Sequence, residues 1–342
     1  MANRYFSLSE YWMRMAQDWK PLLSFDGRSK EDWDSWRVQA LDKFLEILGP
    51  FPDPVDLDPD VEYVIEDGDL IRERVIFDSE AYASVPCIVL RPKDMQPNKK
   101  NAAIICCNGH PTDLGKDPIA GVRSGPEYDR QIALMNYNYG EQMAKAGFLT
   151  IMPELRGFGE RNDAPGRRDV CNLNFIKGCI LGIYTQTLNI WDVKRCVDYL
   201  ETRPEVDPNR IGMMGLSYGG TMTTFTTAVE PRIKAANIMG YVNPFARFAI
   251  ERGNFCGSQI VPEIYKYFDT HDIAGLIAPR PLLIDMATYD ECFYIQDLLK
   301  GYEGVKKIYE AAGAADVLHT DIHPGPHSFG GNVAFSFFKR YL

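Results

Sequence analysis

What this chain of 342 residues lacks narrows its class before any motif is read. It has no excess of positive charge: 47 acidic against 37 basic side chains leave a net charge of −10 at neutral pH. Phosphate-rich surfaces repel an acidic protein, so neither nucleic acid nor membrane is expected as a partner. No stretch of about twenty apolar residues is present to span a bilayer. The N-terminal segment carries Arg4, Glu10 and Arg14 where a signal peptide needs an apolar run. There is no low-complexity tract and no internal repeat. The eight cysteines form no C-x-x-C, and Cys106-Cys107 is their one close pair. Cys87, Cys106, Cys107, Cys179 and Cys196 fall in apolar segments, where a thiol behaves as a small hydrophobe. A reduced, cytoplasmic protein is the simplest expectation.

Hydrophobic residues are plentiful at 45%, enough for a substantial core. Ser7-Leu8-Ser9-Glu10 reads as a capping box opening a short helix. Ser29 opens a better one, in which Trp33, Trp36, Ala40, Leu41, Phe44, Leu45 and Leu48 recur at helical spacing until Gly49-Pro50. The Pro/Asp-rich stretch from Pro50 to Asp60 is a linker, so residues 1–60 form an N-terminal helical extension and 61–342 the main domain. The period then changes to two. Val61–Ile65, Leu70–Phe77 and Ser84–Leu90 read as antiparallel strands, with a hairpin signal at Asp67-Gly68. Ala102–Cys107 is continuously apolar, as in a sheet buried on both faces. Beyond it, strands at Phe148–Met152, Ile211–Met214, Ile233–Met239, Pro281–Met286 and Val317–Ile322 alternate with helical stretches. The latter are Ile176–Leu200, Tyr294–Ala311 and Asn332–Leu342. This pattern predicts an α/β fold, a mostly parallel sheet with helices on both faces and antiparallel strands at its N-terminal side. Residues 241–276 form the longest interruption, placed to shape a pocket.

One stretch carries chemistry. Gly215-Leu216-Ser217-Tyr218-Gly219 matches G-x-S-x-G between an apolar strand and a helix. A serine on so sharp a turn needs glycine two positions away on either side, because side chains there would clash. Its hydroxyl is then exposed above the sheet, beside the positive end of a helix. Serine is a poor nucleophile until a base takes its proton, and only five histidines are available. His319 lies within a strand pattern and reads as structural. His323 and His327 lie past that strand, in a rigid turn built from Pro324, Gly325 and Pro326. His327, just before the final helix, is favoured on its loop position. The acid that orients such a base should follow a core strand, and Asp285, Asp290 and Glu291 are the candidates. Asp285 is inside the strand and Glu291 one step further into the loop, so Asp290 is favoured. Two backbone N–H groups must receive an oxyanion. Tyr218, after the nucleophile, supplies one. The other should come from Asn108-Gly109-His110-Pro111, where Pro111 has no N–H and His110 is the sensible donor.

Taken together, Asn108–Pro111, Glu154–Glu160, Glu205–Gly220, Asp272–Ile284 and Gly325–Gly331 resemble the α/β-hydrolase superfamily. Within it they are most similar to acetyl-xylan-esterase and dienelactone-hydrolase-like carboxylesterases. The resemblance covers about two thirds of the chain, from Ala102 to the C-terminus. It implies a Ser217–His327–Asp290 triad, no metal and no organic cofactor. It also implies a structural Arg156 paired with an acid such as Asp192. Two spellings depart from the family: Asn108-Gly109 stands where His-Gly is usual, and Met286-Ala287 where a glycine commonly precedes the acid. Neither touches the triad. The expected activity is hydrolysis of small acyl esters, of a carbohydrate or similar alcohol, through an acyl-enzyme on Ser217. Self-association into a homo-oligomer is left open. A peptidase or amidase related to prolyl oligopeptidase is the alternative enzyme, and a non-catalytic binding protein on the same fold the alternative class.

Overall fold

The computed structural model describes residues 4–96, 99–110, 113–167 and 170–342. Leu8–Asp18 (α1) starts at Ser7, whose hydroxyl accepts the Glu10 N–H at 3.2 Å. Lys30–Leu48 (α2) starts with a reciprocal box. Ser29 Oγ accepts from Asp32 N–H at 3.1 Å, and Asp32 accepts the Ser29 N–H at 3.0 Å. Gly49 ends this helix with φ +76°. Of the predicted stripe, Trp33, Trp36, Ala40, Phe44 and Leu48 are buried, Leu41 is half-buried, and Leu45 is exposed on the outer side of the helix. Phe44 meets Phe225 and Phe268 edge-on, with ring centroids 5.4 and 5.9 Å apart, so α2 shares the core of the sheet.

Among the described residues, nine strands form one sheet. They are Asp60–Asp67 (β1), Leu70–Glu80 (β2), Ala83–Pro92 (β3), Asn101–Cys107 (β4) and Leu149–Pro153 (β5). Val206–Leu216 (β6), Ile233–Met239 (β7), Leu282–Ala287 (β8) and Leu318–His323 (β9) complete it. Their spatial order is β1-β2-β3-β5-β4-β6-β7-β8-β9. β1, β2, β3 and β5 pair antiparallel in succession, and every pairing from β5 through β9 is parallel. β4 shows why its sequence is apolar after Asn101. Ala103, Ile105 and Cys107 face one core, while Ala102, Ile104 and Cys106 face the other. The edge strand β1 is exposed along its length, and Asp60, Glu62, Glu66 and Asp67 charge it against further pairing.

Between the strands lie Pro126–Met135 (α3), Tyr139–Lys145 (α4), Val170–Leu181 (α5), Thr185–Thr202 (α6) and Tyr218–Val229 (α7). Ile264–Tyr267 (α8), Thr270–Gly275 (α9), Ile295–Ala311 (α10) and Ala334–Tyr341 (α11) follow. Residues of α2, α6, α7 and α10 fill one face of the sheet, and those of α4 and α11 the other. The expected single helical stretch Ile176–Leu200 is two helices. Gly182 takes φ +69° and ends α5, a left-handed conformation that no continuing helix tolerates. Cys179 is exposed on α5 rather than packed in an apolar core. Arg156 holds Asp192 bidentately, both contacts at 2.8 Å, and Arg161 adds a third at the same distance. Burial alone would raise the Asp192 pKa, but Arg161 and Arg156 outweigh it and hold the carboxyl below its ordinary value. Among the described residues, no helix is long and apolar enough to cross a membrane.

Candidate active site

Ser217 sits between β6 and α7 with φ +62° and ψ −116°, a conformation that costs a non-glycine residue about 1–3 kcal/mol. The neighbouring backbone leaves no room for side chains. A Cβ on Gly215 would lie 2.5 Å from the Gly219 backbone, and one on Gly219 would lie 2.2 Å from the Cys107 carbonyl oxygen. Ser217 N–H donates to Met239 O at 3.0 Å, which ties the turn to β7. Tyr218 is the first residue of α7, so its N–H has no acceptor within the helix.

The β8 and β9 loops are laced together by their main chains. Thr288 N–H donates to His323 O at 3.0 Å and Tyr289 N–H to Gly325 O at 2.9 Å. This carries Asp290 to His327, whose Nδ1 lies 2.7 Å from Asp290 Oδ2. Asp290 is buried, and its other oxygen accepts the N–H groups of Cys292 at 2.7 Å and Phe293 at 2.8 Å. Such a clamp fixes which carboxylate oxygen faces the imidazole. The Phe293 ring stacks on His327 with centroids 5.5 Å apart. His327 Nε2 is buried with no hydrogen-bond partner among the described residues. Ser217 and His327 line the same cavity of about 780 Å³, although no hydrogen bond joins them. Apo sites of this kind are commonly loose and tighten only with substrate.

His323 and Asp285, the rejected base and acid, find each other. His323 is the last residue of β9, not a loop residue past it, and its Nε2 lies 3.0 Å from Asp285 Oδ1. Both are buried, and Gly330 N–H donates to the second Asp285 oxygen at 3.0 Å. Burial works against a charged His323, yet Asp285 and Asp321 outweigh it and raise its pKa, while burial raises that of Asp285. Both shifts have one sign: the folded chain keeps these protons to higher pH than the unfolded chain, so the pair stabilises less as pH rises through them. His319 Nε2 is 2.8 Å from the Tyr341 hydroxyl, a structural contact between β9 and α11.

On the opposite wall, Gly109 N–H is taken by the Tyr137 hydroxyl at 2.5 Å, which leaves His110 as the next donor on the loop after β4. Pro111 lies outside the described residues. The His110 ring is flanked by Phe158 and Tyr218, with centroids 5.5 and 5.1 Å away, and its Nε2 lies 3.0 Å from Cys256 Sγ. Cys171 joins this group. The Cys256 thiol bonded to it, with His110 adding, holds Cys171 well below the ordinary thiol range, and the same pairing raises Cys256. Among the described residues, two clusters have metal-ligand spacing: His110, Cys171 and Cys256, and Asp290, Cys292 and His327. In the second, Asp290 Oδ2 and His327 Nδ1 already engage each other.

Residues 253–256 and Gln259, from the long segment between β7 and β8, line the cavity, as do Gln131, Leu134 and Met135 of α3. α3 was not anticipated. Its signal was present in Pro126 at the first turn with Glu127 and Asp129 beside it, a helix-start composition, but the following residues give only a weak apolar period.

A central parallel sheet, a serine on a strained strand-to-helix turn and an aspartate-anchored histidine on the last strand's loop define an α/β-hydrolase. The chain belongs to the Abhydrolase family, whose model matches residues 1–325. It is 24% identical over 283 residues to "Putative hydrolase YtaP" of Bacillus subtilis (strain 168), covering 82% of this chain and 90% of that one. Among solved structures, it resembles a "putative acetyl xylan esterase" (BF1801) from Bacteroides fragilis NCTC 9343. The TM-score is 0.76 at 18% identity, over 94% of this chain and 83% of that one. It also resembles a glucuronoyl esterase from Solibacter usitatus, with a TM-score of 0.66 at 16% identity, over 93% and 96% of the two chains. Likeness at these identities concerns the fold.

Proposed function

We propose that this protein is a serine carboxylesterase that hydrolyses small acyl esters, acetyl-like in size, of a carbohydrate or similar neutral alcohol. The observation that carries the reading is the Asp290-anchored His327, its free Nε2 lining the same cavity as Ser217 on its strained turn. In this mechanism, His327 Nε2 takes the Ser217 proton as the hydroxyl oxygen attacks the ester carbonyl. Asp290 stabilises the imidazolium and keeps its Nδ1 protonated. The tetrahedral oxyanion is received by the backbone N–H groups of His110 and Tyr218. His327 then gives its proton to the departing alcohol, and a water activated by the same nitrogen releases the acid.

The wall chemistry supports a neutral polar substrate. Gln131 and Asn254 offer amide hydrogen bonds beside the apolar Leu134, Phe255 and Phe293. Among the described lining residues, Glu291 is the one carboxylate, and no lysine or arginine accompanies it. Turnover of chromogenic esters is expected to fall from acetyl through butyryl to octanoyl. An ester whose alcohol carries a carboxylate should show kcat/KM lower by about five- to tenfold. That is the effect of one solvated like-charge pair near 4 Å, on the order of 1 kcal/mol, and Glu291→Gln should restore it. A peptide anilide cleaved as well as the acetyl ester would favour the amidase reading. Turnover of neither substrate would mark a binding protein.

A further inference from the structure

The His110 imidazole and the Cys171 and Cys256 thiols take no part in the reaction just derived, in which His110 acts through its backbone N–H alone. We infer that these three side chains form a binding site for one thiophilic divalent cation, zinc by its donor set, in the wall of the cavity beside Ser217. One imidazole nitrogen and two thiol sulfurs lie within 4.8 Å of one another. A tetrahedral zinc with bonds of ~2.0 Å to nitrogen and ~2.3 Å to sulfur needs ligand-to-ligand edges of about 3.5–3.8 Å. The 3.0 Å separation of His110 Nε2 from Cys256 Sγ has only to open by about half an ångström to meet that edge.

The donors are held in place before any ion arrives. The His110 ring is flanked by Phe158 and Tyr218, which themselves stack with centroids 5.0 Å apart. The residues after the two cysteines bind each other: Gly257 N–H donates to Asn172 Oδ1 at 2.8 Å. Cys256 N–H donates to Gln259 Oε1 at 3.2 Å, and Tyr218 donates its hydroxyl to Ser258 O at 3.2 Å. Each cysteine binds as a thiolate, any proton it carries leaving to solvent, and the two thiolates neutralise the ion's charge. His110 and Cys256 line the cavity, so the fourth coordination position opens into it, and an ion there obstructs the approach to Ser217. The ester reaction itself does not use the metal. By contrast, the Asp290, Cys292 and His327 cluster offers one thiol and a carboxylate already engaged by its histidine.

The test is cobalt titration of the full chain, freshly reduced and stripped with a chelator. One equivalent of Co²⁺ should give visible d–d bands of tetrahedral intensity and a near-ultraviolet thiolate-to-cobalt charge-transfer band, both bleached by Zn²⁺. Cys171→Ser and, as a second variant, Cys256→Ala should weaken binding by more than the about 10–100-fold typical of losing an outer-sphere partner. Cys292→Ser should leave the spectrum unchanged. A weak octahedral spectrum without charge transfer overturns the site, as does a band lost in Cys292→Ser and kept in Cys171→Ser. Zn²⁺ should also inhibit short-ester turnover, with the inhibition shifted to higher concentration in Cys171→Ser. That last arm rests on the esterase reading. Cobalt bands from a protein without esterase activity would keep the metal site and refute the enzyme.

Discussion

His327→Ala is expected to lower kcat for an acetyl ester by on the order of 10⁶-fold, with the fold and its stability nearly unchanged. In the proposed mechanism the imidazole removes the Ser217 proton and later delivers it to the alcohol, so its loss disables both half-reactions at once. Its side chain contributes little to packing beyond the Phe293 stack, and its partner Asp290 keeps two backbone N–H groups without it. His323→Ala should behave in the opposite way. It leaves Asp285 a buried carboxylate with only the Gly330 N–H, and breaking a buried pair costs about 3–5 kcal/mol. Denaturant midpoints and ester kinetics on the two variants separate the roles. If His323→Ala loses turnover at full stability while His327→Ala keeps it, the base has been misassigned.

The second large effect is at Asp290. Asp290→Asn is nearly isosteric, and its amide oxygen can go on accepting from Cys292 and Phe293, so the loop should keep its shape. The amide NH₂ then faces His327 Nδ1 and donates to it, which places the remaining imidazole proton on Nε2. That tautomer cannot accept a proton from Ser217. A fall in kcat of about 10⁴-fold is expected, equivalent to about 5.5 kcal/mol of transition-state stabilisation, with KM little changed. Steady-state kinetics across the acetyl ester series check it, and a loss of less than tenfold would mean that another acid orients the base.

Much of this site was legible because its residues are constrained by local geometry. Gly215 and Gly219 stand where the elbow brings backbone to within 2.5 Å or less of any added Cβ, and that spacing survives in sequence as G-x-S-x-G. β4 is apolar from Ala102 to Cys107 because both faces are covered there, which the composition alone reveals. The Asp290 and His327 assignments rested on their places after β8 and β9, and the backbone bonds between the two loops explain why those places meet. What escaped was decided by tertiary contacts. Nothing within the string Leu282–Ala287 says that Asp285 will meet His323, which the parallel register sets opposite Ala287, two residues further along the same face. The α5–α6 break lies at a single Gly182, in a stretch whose apolar residues run on past it. The grouping of His110 with Cys171 and Cys256 joins residues from three separate segments, which periodicity cannot foresee.

The most direct test of the account is the mass of the protein quenched in acid within the first turnovers of an acetyl ester, followed by peptide mapping. The account predicts an added acetyl group on Ser217, trapped more heavily when deacylation is slow and absent from Ser217→Ala. An enzyme that hydrolyses the ester at full rate in the Ser217→Ala form, or carries its acyl group on another residue, would contradict it.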